Sequence, residues 1–132
     1  MSDEKLLIHL SFLLGVKTDP FQSIIGHRAS EQKTHSDSIH MTTYPSGYMI
    51  AAWIAMEDID EDSGPLIYYP GSHNLPYVYS GEAGITLEEV NANQDDLYKP
   101  YRQKYEPLID EIIEDNKLSE ERFIAKKGDV LI

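Results

Sequence analysis

The residues best suited to chemistry lie in the stretch KTHSDSIH, which spans positions 33–40. His35 and Asp37 are two positions apart, so on an extended strand both side chains point to the same face. An imidazole and a carboxylate at that spacing can converge on one metal ion at about 2.0–2.2 Å. A second histidine would complete the ligand set of a non-haem Fe(II) oxygenase. The spacing alone therefore makes His35 and Asp37 candidates for part of a metal site.

The other polar residues are weaker candidates. The alternation of a strand places His40 on the face opposite His35, so we do not expect it to be the third ligand unless a β-bulge intervenes. A lone His-x-Asp pair is also compatible with a solvent-facing pair or a hydrogen-bonded core histidine. The segment EDIDEDSGP contains five acids between Glu57 and Asp62. It lacks the spacing of an EF-hand loop, so we interpret it as a polar hairpin.

Length, net charge and cysteine content argue against several classes of protein. The chain has 132 residues, which suits one domain, and its net charge of −12 argues against binding nucleic acid or an anionic membrane. It has no cysteine, which excludes disulfides and thiolate sites and fits a reducing compartment. The apolar stretch KLLIHLSFLLG is too short to span a bilayer, and no basic signal-peptide region precedes it. We therefore predict a cytoplasmic protein.

Helices are predicted at two places. Ser2 can cap a first helix, whose apolar stripe follows helical spacing up to a stop at Gly15. Residues 86–117 form the second helical region, which opens with a capping-box pattern at Thr86 and Glu89. Pro107 is interpreted as opening a helix rather than interrupting one. The stripe residues in the two regions are Leu6, Leu7, Leu10, Leu13, Leu14, Tyr101, Tyr105, Leu108, Ile109, Ile112 and Ile113.

The remaining segments predict strands. FQSIIGHR, THSDSIHMTTY, YMIAAWIAMEDI and GPLIYYPGSH are short runs with β-branched and aromatic residues, bounded by Gly, Pro and Ser. The last run ends in a turn at Pro70–Gly71. The final segment, RFIAKKGDVLI, returns to strand, and its three terminal apolar residues suggest a sequence cut from something longer. Several such strands indicate a sandwich or barrel, with residues 86–117 as a helical insert between core strands.

The region from Thr34 to Tyr77 resembles the phytanoyl-CoA dioxygenase family of Fe(II)- and 2-oxoglutarate-dependent oxygenases. The matching residues are the His-x-Asp pair, the strand Trp53-Ile54-Ala55, an acidic turn followed by Ser-Gly-Pro-Leu, and Pro70-Gly71-Ser72-His73. The segment AKKGDVLI is also similar to the part of the family that leads into its distal histidine strand. The resemblance covers most of residues 21–132.

The resemblance implies a fold and a chemistry. The fold is mainly β with added helices, a double-stranded β-helix (a cupin-like jelly roll), here incomplete. By resemblance, His35 and Asp37 are iron ligands, and Trp53 lies near 2-oxoglutarate, although it could equally be a core residue. The chemistry is hydroxylation of a small-molecule C–H bond with dioxygen, while 2-oxoglutarate is decarboxylated to succinate. The family's third ligand and its 2-oxoglutarate-binding arginine have no match here, so we expect this fragment to be inactive alone.

Two alternatives stay open at this point. One is a cupin-like protein that binds a metal without 2-oxoglutarate, and the other is a metal-free binding domain on the same scaffold. The expected partners are a small-molecule substrate and dioxygen, with no nucleic acid and no membrane. Self-association through exposed strand edges is also possible. The helical insert at 86–117 could cover the pocket as a lid.

Overall fold

The computed structural model describes residues 3–26 and 32–132. Helices and tight turns dominate these residues, and the strands are short. Three 3₁₀ turns lie at Asp37–Ile39, Glu61–Ser63 and Ser72–Asn74, and a π-helical turn spans Tyr101–Tyr105. The other elements are α1 (Glu4–Leu14), β1 (Trp53–Ile54), β2 (Ile67–Tyr68), α2 (Leu87–Ala92), α3 (Glu106–Asp115), β3 (Glu121–Arg122) and β4 (Val130–Leu131).

The predicted mainly-β class is not confirmed. Each of the four strands in the described residues is two residues long, and they form two two-stranded sheets, β1–β4 and β2–β3. β1 and β4 are antiparallel, with Trp53 opposite Leu131 and Ile54 opposite Val130. The predicted strand at THSDSIHMTTY is wrong, because a 3₁₀ turn occupies Asp37–Ile39. Serine and aspartate side chains hydrogen-bond nearby backbone groups and so favour turns over a strand ladder.

The first helix is confirmed, but its cap is Asp3. Ser2, the predicted cap, lies outside the described residues. The Asp3 carboxylate accepts a hydrogen bond from the Leu6 backbone N–H at 3.0 Å, which satisfies one of the free donors at the helix start. Gly15 ends the helix with φ 74°, a left-handed conformation that glycine adopts without steric cost. Among the described residues, no helix is long and apolar enough to cross a bilayer.

The helical prediction for residues 86–117 is confirmed in its main features. Thr86 and Glu89 form the expected capping box at the start of α2, with the Glu89 N–H donating to the Thr86 hydroxyl at 3.2 Å. α2 ends at Ala92, and the next helical residues form the π-helical turn. Pro107 lies in the first turn of α3, where its missing N–H costs nothing. The role of these helices as an insert between core strands stays a prediction.

The acidic segment folds as a set of local turns. Asp60 caps the 3₁₀ turn Glu61–Ser63, accepting hydrogen bonds from the Asp62 N–H at 3.1 Å and the Ser63 hydroxyl at 2.5 Å. The Asp58 carboxylate accepts hydrogen bonds from the Lys126 ammonium at 3.0 Å and from the Lys127 backbone N–H at 2.9 Å. These two carboxylates are therefore engaged in local turn geometry. The predicted hairpin is not formed, because the flanking strands β1 and β2 pair with β4 and β3 and not with each other.

The chain forms two compact units, each with its own small core. Buried apolar residues of the first unit are Leu10, Ala55 and Ala125, and those of the second are Ile85, Tyr105 and Ile113. The first unit comprises Met1–Ser30, Thr42–Leu66 and Arg122–Ile132, and the second comprises Glu31–Met41 and Ile67–Glu121. Residues 33–41 therefore belong to the same unit as the π-helical turn and α3.

Candidate metal centre

A tight turn, not a strand, brings the predicted ligands together. Ser36 is extended (φ −108°, ψ 132°), and the chain then curls into the 3₁₀ turn. The backbone N–H groups of His40 and Met41 both donate to the Asp37 carbonyl at 3.0 Å, which closes the turn. One extended residue between His35 and Asp37 leaves their side chains on the same side, as the strand prediction required, even though the strand itself does not form.

The two side chains face each other directly. His35 Nε2 lies 3.3 Å from Asp37 Oδ1, and the two side chains are 23% and 59% exposed. The other ring nitrogen of His35, Nδ1, lies 2.6 Å from the Lys33 carbonyl oxygen. A carbonyl can only accept, so Nδ1 carries the proton and donates. In the neutral ring the lone pair is therefore on Nε2, the atom that faces Asp37.

This donor set fits a divalent metal ion. Metal-ligating histidines usually donate their second ring N–H to a carbonyl or carboxylate, as His35 does to Lys33. Two donors about 2.1 Å from one ion, in neighbouring octahedral positions, lie about 3 Å apart. The observed 3.3 Å is close to that separation. Within residues 3–26 and 32–132, however, no group of three or more His, Cys, Asp or Glu is arranged to hold a metal.

A cluster of aromatic rings begins beside His35. The ring of His40 lies 6.0 Å from that of His35, 5.6 Å from Tyr98 and 5.4 Å from Tyr101. The turn brings His40 round to this position, so the expectation that it faces away from His35 is wrong. Sequence reasoning treated Tyr101 only as part of an apolar stripe and missed Tyr98. The clustering of three tyrosines in YKPYRQKY is the one available signal.

The contact between His35 and Asp37 shifts the pKa values of both side chains. The hydrogen bond to Asp37 raises the pKa of His35 above its ordinary value of 6.5. The same contact lowers the pKa of Asp37 below 3.8. Burial, followed by the charge of His35, lowers the pKa of His40 below 6.5. His35 is therefore charged at pH values where His40 is already neutral.

We expect NMR titration of the metal-free chain to show His35 losing its proton at a higher pH than His40. Asp37→Asn should lower the His35 midpoint, since it removes the carboxylate charge. Because the folded pKa of His35 is raised and that of Asp37 lowered, their ion pair stabilises the fold fully between about pH 3.8 and 6.5. This contribution fades as pH rises through the His35 pKa or falls through the Asp37 pKa. Its size should stay below about 1 kcal/mol because Asp37 is largely exposed. Coincident midpoints for the two histidines would contradict the assignment.

Trp53, the predicted 2-oxoglutarate neighbour, lies in the other compact unit. Its ring is 38% exposed and packs edge-to-face on Phe123, with ring centres 5.5 Å apart. Trp53 therefore contacts one aromatic neighbour but is not a buried core residue, and its role near the cosubstrate stays a prediction.

Comparison with known proteins identifies the relatives of this chain. A family model described as phytanoyl-CoA dioxygenase matches residues 8–132. The bovine protein named peroxisomal phytanoyl-CoA dioxygenase is 37% identical over 51 residues, which cover 39% of this chain and 15% of that protein. The zebrafish protein named phytanoyl-CoA dioxygenase domain-containing protein 1 is 39% identical over 44 residues, 33% of this chain and 15% of the relative. This chain therefore matches about 15% of the length of these relatives. No solved structure matches.

Proposed function

Because the chain belongs to the phytanoyl-CoA dioxygenase family, we propose that the protein is an Fe(II)- and 2-oxoglutarate-dependent dioxygenase that hydroxylates a small-molecule C–H bond. His35 and Asp37 are two of its iron ligands. The contact that carries this proposal is the 3.3 Å approach of His35 Nε2 to Asp37 Oδ1, with Nδ1 engaged by the Lys33 carbonyl.

Each residue of the centre has a definite task in this proposal. The Lys33 carbonyl holds the His35 tautomer, so that the Nε2 lone pair is available for the ion. Asp37 supplies a negative charge that offsets part of the metal charge. The ring of His40, in contact with Tyr98 and Tyr101, lies beside His35. Bound iron would supply the oxidising power, by reaction of dioxygen with 2-oxoglutarate that releases succinate and carbon dioxide.

Several finer expectations belong to the same proposal. A jelly-roll core is the fold that membership of the family implies, and Trp53 is proposed to contact 2-oxoglutarate. Because residues 3–26 and 32–132 place no third ligating group beside the pair, this chain should bind iron weakly and form no succinate by itself. Cytoplasmic localisation is proposed from the absence of cysteine. The relative named as peroxisomal offers a different compartment for comparison.

One observation favours a second candidate function. In the described part of the chain, His35 and Asp37 have no third ligating group arranged around a common point. A metal-free binding domain, or a cupin-like domain that does not use 2-oxoglutarate, would present the same pair. The two candidates differ in whether the pair takes up a metal at all and whether 2-oxoglutarate then joins it.

Anaerobic titration distinguishes these functions. Fe(II) is added to the 132-residue chain, 2-oxoglutarate is added next, and the visible absorption of the iron is recorded at each step. We expect weak iron binding, an absorption change on addition of 2-oxoglutarate and no succinate above background after oxygen is admitted. An absence of iron binding would support the metal-free domain, and iron binding without a response to 2-oxoglutarate would support the cupin-like one. Near-stoichiometric iron binding with succinate formation would contradict the expected inactivity of this chain.

A further inference from the structure

Tyr105 reaches the metal centre from a distant part of the chain. Tyr105 is only 1% exposed, and it is the largest fully buried side chain among the described residues. The backbone N–H of Ser36 donates to its hydroxyl at 3.4 Å, across 69 positions of sequence. Ser36 is the residue between His35 and Asp37. The hydroxyl of Tyr105 therefore contacts the short piece of backbone that separates the two proposed ligands.

The element that carries Tyr105 is firmly anchored. Tyr105 is the last residue of the π-helical turn, and α3 continues directly from it. Lys104 in the same turn donates to the Gly84 carbonyl at 2.7 Å and to Glu89 at 2.5 Å. π-Helical turns insert an extra residue into a helix and are frequent at functional sites. The wider turn also holds the ring of Tyr101 against His40.

The hydroxyl of Tyr105 stays un-ionised and can accept a hydrogen bond near neutral pH. Burial raises the pKa of Tyr105 above 10.0, so the phenol keeps its proton at neutral pH. The negative charge of Asp37 acts in the same direction. A neutral phenol oxygen still accepts a hydrogen bond from a backbone N–H. Ionisation of the phenol therefore does not disturb the contact with Ser36 near neutral pH.

We propose that Tyr105 is a positioning residue of the metal centre: by accepting the Ser36 N–H, its hydroxyl holds the backbone that keeps His35 and Asp37 converged. With respect to the metal, this inference rests on the proposed function. It assigns to a core tyrosine a second role, which depends on one oxygen atom and not on the bulk of the ring. Removing outer partners of metal ligands typically weakens metal affinity by about 10–100-fold.

The test is Tyr105→Phe, which keeps the ring and removes the oxygen. Tyr77→Phe is the matched control, because Tyr77 lies in the same unit and is 42% exposed. We expect Tyr105→Phe to weaken Co(II) affinity about 10-fold and to change the Co(II) absorption spectrum, while Tyr77→Phe binds as the parent does. In the metal-free chains, hydrogen exchange of the Ser36 amide should be faster in Tyr105→Phe alone.

The outcomes separate this inference from the proposed function. If the parent binds Co(II) and Tyr105→Phe binds it equally well with an unchanged spectrum, the positioning role is overturned. If the parent binds no Co(II), the proposed function fails. Ser36 exchange then still decides the inference, and an unchanged rate overturns it. Should Tyr105→Phe not fold, 4-fluorophenylalanine at position 105 replaces the hydroxyl by a much weaker acceptor at nearly constant size, and the same two measurements apply.

Discussion

Replacing His35 with alanine should lower the affinity of the chain for Fe(II) or Co(II) by at least about 100-fold, because in the proposed centre His35 binds the metal directly and even outer partners account for about 10–100-fold. Asp37→Asn should have a similar effect, because the amide keeps the size of the side chain but carries no negative charge. Calorimetric titration with Co(II) under anaerobic conditions measures both changes. His35 and Asp37 should behave as one unit, so the double variant should lose little more than either single variant.

His9→Ala is the matched control for the ligand variants. The Nδ1 atom of His9 also lies 2.6 Å from a backbone carbonyl, that of Lys5, so the two histidines share this local contact. His9 is on α1 in the other compact unit. We expect its replacement to leave Co(II) affinity unchanged. Equal losses in His35→Ala and His9→Ala would show that the chain binds metal nonspecifically through histidines, and would contradict the proposed centre.

Replacing Tyr105 with alanine should reduce the free energy of unfolding by about 3–5 kcal/mol, the range seen for large aromatic residues removed from a core. The residue is 1% exposed, so removing its ring leaves a cavity in the core of its unit. The change also leaves the Ser36 N–H without its tyrosine acceptor, which adds to the loss. Urea unfolding followed by circular dichroism measures the effect.

Two further variants separate the contributions of Tyr105. Tyr105→Phe should reduce the free energy of unfolding by only about 1 kcal/mol, the usual contribution of one hydrogen bond, because the ring remains. Tyr98→Ala should also cost less than about 1 kcal/mol, since Tyr98 is 58% exposed. If Tyr105→Ala were no more destabilising than Tyr98→Ala, the assignment of Tyr105 to the core of its unit would be wrong. The same series shows how much of any metal-binding defect comes from general destabilisation.

Local sequence patterns predicted several helix ends and one tight turn of this protein, but not the 3₁₀ turn at Asp37–Ile39. The capping box at Thr86, the opening of α3 at Pro107 and the turn at Pro70–Gly71, closed by the Ser72 N–H on the Tyr69 carbonyl at 3.0 Å, were all predictable. Each depends on hydrogen bonds or dihedral preferences among residues within four positions of one another. The family was also predictable, because its motifs are short and lie close together between His35 and Tyr77.

The convergence of His35 and Asp37 was predicted correctly from a backbone that does not form. A single extended residue between them is enough to place both side chains on one side, and both a strand and the observed turn provide it. The position of His40 depends instead on the backbone conformation after Asp37, so the same reasoning failed for it. Strand alternation sends His40 away, whereas the 3₁₀ turn brings its ring to within 6.0 Å of His35.

Only the tertiary structure decided which groups surround the pair. Ser36 meets Tyr105 across 69 positions, and His40 meets Tyr98 and Tyr101 at similar separations. Strand pairing is equally nonlocal, since Trp53 lies opposite Leu131 on a strand far along the chain. The paired segment is only two residues long. Such contacts depend on how separate elements pack, and local propensity carries no information about that. The convergence of His35 and Asp37 is therefore a property of a few neighbouring residues, whereas the aromatic rings near His35 and the contact of Tyr105 with Ser36 are properties of the fold.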